Sequence, residues 1–565
     1  MDRLILFDCI SRICAVYEKL WYTTIFLYIV HKIIIILSRI LLNNTKRNDI
    51  MNPLTSFTKT IHTKGRKIIM DTLKRVSPEE AGIHSQSIIE FIQQAQAEGI
   101  ELHSLMILRH GKVCEEAWWK PYDSVTPQTM FSFSKSITST AVGFAVQEGL
   151  LSLDEKLVDI FPDETPENPG ENLKAADVYS LLTMSCGQEN DICYQLKSYD
   201  HWIHDFMHAD FKYKPGTMFQ YNSTGTDMLC AIIKKKTGLN VSEYLKPRLF
   251  DKIGMTNISC RLLPGDIEMG GSGFRVKTED MARLGQFYLN RGIWKGERLL
   301  NEEWIDMATS RQISTVNPVF DNHDSNWQHG YGFQFWRCIP EGLYRADGAY
   351  GQFAIMDPDK DVVIAITSAS FCPDRLLNIV WEKLLVGITD KEELEESGSY
   401  EQLKHLNAKL AIPGLWNVRN RAHEDEWGQI RYQVSGEDVP CFADLTGGPG
   451  TWGNYGRKLS AISFEFQRTE CRIHIEDEDF TSDLYAGMDG TYHASYVRGE
   501  KFAASACWEE ENVLSLAVRA LKTVSGTRFR ITFTEKEISI RRCPLMPQTG
   551  EKFSERDWDH LVLKA

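Results

Sequence analysis

The 565-residue sequence predicts an α/β (α+β) protein in which a mixed region is followed by a β-rich one, and three observations carry that prediction. Residues 85–98 repeat apolar side chains at helical spacing. Two hairpin patterns surround tight turns at His110-Gly111-Lys112 and Asp357-Pro358-Asp359-Lys360. Beyond about Ser397 the pattern shortens to alternating strands, for example 461–466, 471–475 and 529–533.

The totals bound what such a chain can be. Its length gives room for two or three domains. With 43% apolar and 25% charged residues the composition is globular. A formal net charge of −14 argues against a nucleic-acid binder that neutralises phosphates. The 13 cysteines form no Cys-x-x-Cys pair, so neither a disulfide framework nor a zinc site is expected. Reduced, buried thiols are the expectation, and they point to a catalytic region that faces the cytoplasm. His423-Glu424 lacks a second ligand histidine, and Gly447-Gly448-Pro449-Gly450 lacks the ending of a phosphate loop.

In chain order, residues 20–40 come first and are mostly apolar, with His31-Lys32 at the middle and basic residues at both ends. Two readings stand: a membrane anchor, or an upstream extension with translation starting at Met51 or Met70. Residues 1–69 carry no catalytic signal. A globular domain is expected from about 70 to 390, starting near Val76-Ser77-Pro78. Helix 85–98 leads to the hairpin 105–108 and 113–116, which feeds the segment Met130-Phe131-Ser132-Phe133-Ser134-Lys135-Ser136-Ile137.

That segment is the chemical centre of the sequence. Residues three apart share a helix face, so the Lys135 amine can reach the Ser132 hydroxyl. A lysine whose pKa is lowered by burial can act as the base that a serine nucleophile needs. The spacing alone is weak, since about two matches are expected by chance in a chain of this size. Ser56-Phe57-Thr58-Lys59 is such a match, but it runs into a polar basic stretch, whereas Ser132 opens an apolar helix pattern that stops at Gly149.

Downstream, residues 176–184 read as a helix, and Lys214-Pro215-Gly216 begins a turn that delivers Tyr221-Asn222-Ser223 ahead of a helix over 227–236. Another helix is expected over 278–290. Residues 344–356 form one arm of the second hairpin, and its glycines permit close backbone approach to a ligand. The charged stretch 390–407 connects to the β-rich domain, 400–565, where Trp452-Gly453-Asn454-Tyr455 reads as a turn packed by its own aromatics and no catalytic constellation stands out.

Taken in order, Ser132-Phe133-Ser134-Lys135, Tyr221-Asn222-Ser223 and Ala346-Asp347-Gly348 resemble the three motifs of the serine β-lactamase and penicillin-binding-protein superfamily, most closely the class C β-lactamase-like serine hydrolases. Leu181-Leu182-Thr183-Met184-Ser185, Gly271-Ser272-Gly273 and Gly351-Gln352-Phe353 look like landmarks of the same family. The resemblance implies an antiparallel sheet formed by the two hairpins, flanked by helices, and an all-helical lobe from about 150 to 302, with the site in the cleft between them. It implies Lys135 and Tyr221 as the base pair for Ser132, and the Ser132 and Ala349 amides as the oxyanion hole. Ser223, Asp347 and Gly348 would line the substrate site. An ester, amide or peptide would then pass through an acyl-serine, with no metal or organic cofactor. A covalent penicillin-binding sensor, or a D-alanyl peptidase-like protein with little turnover, is the alternative. Two departures stand out: Ser223 replaces the usual asparagine, and Ala346 replaces the basic residue. Strand alternation turns the adjacent Arg345 to the opposite face.

Overall fold

Ser85–Ala97 (α1) buries Ile88, Ile89, Phe91, Ile92 and Ala95, the apolar positions of its helical repeat, against one face of a sheet. The first two strands of that sheet are Leu102–Arg109 (β1) and Lys112–Trp118 (β2). Every residue of β1 is buried because the strand serves two cores at once. Leu105 and Ile107 face α1, while Met106 and Leu108 join the core on the other side. The structure is a computed structural model that describes residues 73–194, 198–316, 325–419, 421–428, 430–434, 439–446, 457–545 and 559–564. The apolar segment 20–40, Ser56-x-x-Lys59, the 447–450 glycine run and the 452–455 turn lie outside the described residues. Among the described residues no helix is long and apolar enough to cross a membrane.

After β2 the chain forms Gln128–Thr129 (β3), a single 3-10 turn over Phe131–Phe133, and Ser134–Gln147 (α2). Ser223–Thr237 (α3), Phe274–Val276 (β4) and Thr278–Leu289 (α4) follow. The sheet is then completed by Trp336–Arg337 (β5), Tyr344–Gly348 (β6), Gln352–Asp357 (β7) and Val362–Ser368 (β8). Its order is β5-β6-β7-β8-β1-β2, antiparallel throughout, so the two predicted hairpins lie side by side through the β8–β1 pairing.

Several predicted boundaries move for local reasons. Helix 227–236 begins four residues earlier, at Ser223, because the Asn222 side chain accepts the Gly225 N–H at 2.8 Å and starts the helix. Helix 176–184 shrinks to Val178–Leu182, opened by an Asp177/Ser180 capping box. The arm 344–356 is two strands rather than one, split by a turn at Ala349-Tyr350 where Tyr350 takes a φ of 64°. The 150–302 lobe is not all-helical. It carries short hairpins, among them Ile293–Trp294 with Glu297–Arg298, whose two-residue loop Lys295-Gly296 takes positive φ at both positions.

The C-terminal region is β-rich, a ten-stranded sheet from Arg431–Val434 to Asp559–Lys564. A parallel pairing of Ala486 with Ala504 and of Gly487 with Ser505 closes it on itself around an aromatic core that includes Phe464, Trp508 and Phe533. This sheet packs on the first region. Ala503 and Leu521 enter the core that holds α1, Arg519 pairs with Glu101 at 2.5 Å, and the Thr129 N–H donates to the Lys522 carbonyl at 2.7 Å. The charged stretch before it holds a helix, Gly398–Asn407, which docks through Leu403 and through an Asn407 hydrogen bond to Glu115.

Candidate active site

Ser132 sits in the 3-10 turn that joins β3 to α2, not within α2 itself. Phe131, immediately before it, has a φ of 47°, in the left-handed region that a bulky residue occupies at a cost of about 1–3 kcal/mol. Both sides of the turn are tied to Phe274. Its carbonyl accepts the Met130 N–H at 2.8 Å, and its N–H donates to the Ser134 hydroxyl at 3.1 Å. Helix α2 is buried from Ser134 to Ala145, so its hydroxyls need partners inside the protein. Ser136 and Ser139 find them in the carbonyls of Gln334 and Phe333.

Lys135 is 1% exposed, and its Nζ meets three oxygens. Ser132 Oγ lies at 3.1 Å, Ser223 Oγ at 3.1 Å and the Gly271 carbonyl at 2.6 Å. Ser223, which stands where the resemblance expects asparagine, thus makes a contact with the lysine through its hydroxyl. Burial holds the Lys135 amine below the ordinary lysine range, while the negative charges of Asp227 and Asp191 act the other way.

Tyr221 is half-buried beside this cluster. Lys135 Nζ is 4.8 Å from the centre of its ring, and the ring stacks on Trp336 with centroids 5.8 Å apart. Tyr331 and Phe219 complete an aromatic wall. Asn222 faces away from the lysine, capping α3 and donating to Gln188 at 2.7 Å.

At the end of β6, Gly348 approaches the nucleophile turn so closely that a Cβ there would lie 2.1 Å from the Met130 carbonyl and 3.2 Å from the Phe133 nitrogen. Ala349 follows in the exposed turn between β6 and β7, next to Tyr350, whose ring meets Phe131 edge-on at 5.1 Å. Ala346 is buried in the same core as Phe133 and Ile137. Arg345 and Asp347 point to the other face of β6 and pair with each other, Nε to Oδ2 at 2.8 Å, with Trp327 Nε1 donating to the same carboxylate oxygen at 3.0 Å.

Three residues of this site were not singled out from sequence. Asp191 accepts the N–H groups of Ser223 at 2.5 Å and Thr224 at 3.4 Å, fixing the start of α3. Asp227 accepts the Gly271 N–H at 2.8 Å. Phe131 supplies the strained backbone. Only Asp227 left a trace in the sequence, as a carboxylate immediately before the apolar helical run 228–233. Among the described residues no cluster of His, Cys, Asp and Glu could hold a metal ion.

Residues 88–381, a little over half of the chain, match a family model described as Beta-lactamase. Similar proteins include the 6-aminohexanoate-dimer hydrolase of Paenarthrobacter ureafaciens, 23% identical over 296 residues that cover 48% of this chain and 73% of that protein. Penicillin-binding protein 4 of Amycolatopsis lactamdurans is 23% identical over 302 residues, 46% of this chain and 78% of its own. The solved octameric penicillin-binding protein homologue from Pyrococcus abyssi aligns with a TM-score of 0.44 at 16% identity, covering 85% of this chain and 99% of that one.

Proposed function

Because the chain belongs to the Beta-lactamase family, we propose that it is a serine hydrolase of esters or amides, class C-like in its overall motif pattern, working through an acyl-Ser132 intermediate. One observation carries the reading: a buried lysine amine 3.1 Å from a serine hydroxyl that sits on a strained turn. In the neutral amine, two N–H groups donate to Gly271 and Ser223, which leaves the lone pair for the Ser132 proton. Ser132 Oγ attacks the acyl carbon as Lys135 takes that proton. Tyr221, at the edge of the same cluster, relays it to the departing alcohol or amine. The Ser132 and Ala349 amides are the donors proposed for the oxyanion, a reading supported by the close approach of Gly348 to the Ser132 turn. Water then releases the acyl group by the reverse proton path.

A fluorophosphonate probe tests this. It should label Ser132, and Ser132→Ala should abolish labelling. Lys135→Ala should slow labelling by about 10²–10⁴-fold, the range of a general base. Labelling at Ser56, or unchanged labelling of Ser132→Ala, would remove the reading. Multiple turnover on an ester separates a hydrolase from a covalent sensor, which would stop after one equivalent.

A further inference from the structure

The buried stretch of α3 from Met228 to Ile233 is apolar or weakly polar, yet a carboxylate, Asp227, precedes it at 5% exposure, and no step above uses it. Its Oδ1 holds the Gly271 N–H at 2.8 Å, and the Gly271 carbonyl in turn accepts the shortest of the three Lys135 contacts, at 2.6 Å. Residue 271 is wedged in place. A Cβ there would lie 2.7 Å from the Ser223 carbonyl and 3.1 Å from Asp227 Oδ1. Asp227 and Lys135 also feel each other's charge: burial raises the carboxyl, Gly271 and Lys135 oppose that, and the carboxylate in turn favours the ammonium.

We propose that Asp227 is a positioning residue for acyl transfer, fixing Gly271 so that its carbonyl aims Lys135 at Ser132, with its carboxylate set behind the same carbonyl. The inference rests on Lys135 being the base. In the step it governs, the Ser132 proton moves to Lys135 Nζ as the Oγ–acyl bond forms, and it leaves with the alcohol or amine as the acyl–heteroatom bond breaks. The ammonium present between those events is what the carboxylate stabilises. The same charge delays the appearance of the neutral amine as pH rises.

Lys135 also feels Asp191 and Cys193 from the turn at 191–194 and, more weakly, the charge of Asp347 on the far face of β6, and it lies over the Tyr221 ring. Asp227 is faced by Asp191, and Cys230 lies one turn along its own helix. All remain when Asp227 is replaced, so a change in titration reports Asp227.

The test is the pH dependence of the fluorophosphonate labelling rate of Ser132 in the full chain, for wild type, Asp227→Asn and Lys135→Ala. Removing the negative charge lowers the Lys135 pKa, so the acidic limb of Asp227→Asn should move down by about one unit. Well below the wild-type midpoint its rate, relative to plateau, should then be about tenfold higher. A limb that stays or moves up overturns the proposal. If Asp227→Asn is not folded by circular dichroism, Asp227→Ser must show the same downward shift, and a chain that folds with neither would make Asp227 a core residue only. Lys135→Ala separates the two readings. Undiminished labelling there defeats the base assignment itself, whereas lost labelling with an unmoved Asp227→Asn limb defeats only the role of Asp227.

Discussion

Arg345 and Asp347, two residues apart on β6, form a buried ion pair in which the guanidinium Nε lies 2.8 Å from Oδ2, and the remaining nitrogens donate to the carbonyls of Asn326 and Arg337 at 3.0 and 3.3 Å. The guanidinium is therefore committed, and the strand position where the family resemblance implies a basic residue holds Ala346. A hydrogen bond to a charged group is worth roughly 1.5–3 kcal/mol. Its loss lowers kcat/KM for carboxylate-bearing substrates by about tenfold to a hundredfold or more. We expect hydrolysis of a neutral short-chain ester with poor turnover of β-lactams, and we expect Ala346→Lys to improve carboxylate-bearing substrates more than neutral ones. Efficient cephalosporin hydrolysis by the native protein would contradict this.

Glu115 on β2 gives a stability prediction at neutral pH. Burial raises its carboxyl to about 7, against a donated hydrogen bond from Asn407 at 2.6 Å. An acid whose folded pKa stands above its unfolded value of 4.5 favours folding while protonated, and that stability is lost as pH rises from about 4.5 to about 7. Glu115→Gln should accordingly stabilise the protein at pH 8 by about 3 kcal/mol and change little at pH 4. Urea denaturation at the two pH values decides, and an equal midpoint shift at both would refute the assignment.

The Glu101–Arg519 pair predicts the opposite trend. Burial pushes the Glu101 carboxyl up, but the Arg519 charge and the His103 hydrogen bond outweigh it and hold it down at about 2. Its contribution is present above about 4.5 and is lost as pH falls towards 2. Arg519→Met leaves a buried carboxylate without its guanidinium and should cost ~3–5 kcal/mol at pH 7. The double variant Glu101→Gln/Arg519→Met should recover part of that loss. Equal stability of wild type and Arg519→Met would show that the C-terminal sheet is held by other contacts.

Residues 71–565 form one compact unit. Deleting residues 1–69 should leave the specific activity within about threefold, under ~0.7 kcal/mol in barrier terms. A deletion variant that aggregates or loses its circular dichroism signal would move the domain boundary upstream.

The parts legible in the sequence were those set by short-range spacing. Ser132 and Lys135 are three residues apart, and both hairpins announce themselves by short apolar runs around glycine- or proline-containing turns. What stayed hidden depends on distant partners or on conformations that the residue type disfavours. Gly271 lies 136 residues from the lysine it holds. The turn between β6 and β7 runs through a tyrosine at a φ of 64°, which no turn rule assigns to an aromatic residue. The short hairpins of the helical lobe were readable, since Lys295-Gly296 is a two-residue loop, but the strands beside it are only two residues long and carry no alternation.

Thr129 stands three residues ahead of Ser132, yet its N–H and its hydroxyl both rest on the carbonyl of Lys522, 393 residues downstream. A ribosome adding 5–20 residues per second needs roughly 20–80 s to cover that interval. Throughout that time the nascent chain already contains its serine and its lysine while the support beneath them is unmade. The contact therefore ties the turn that carries the serine to the last part of the chain to be made, and a message cut short after residue 400 should yield a chain that carries the whole Ser-x-x-Lys sequence but lacks this support.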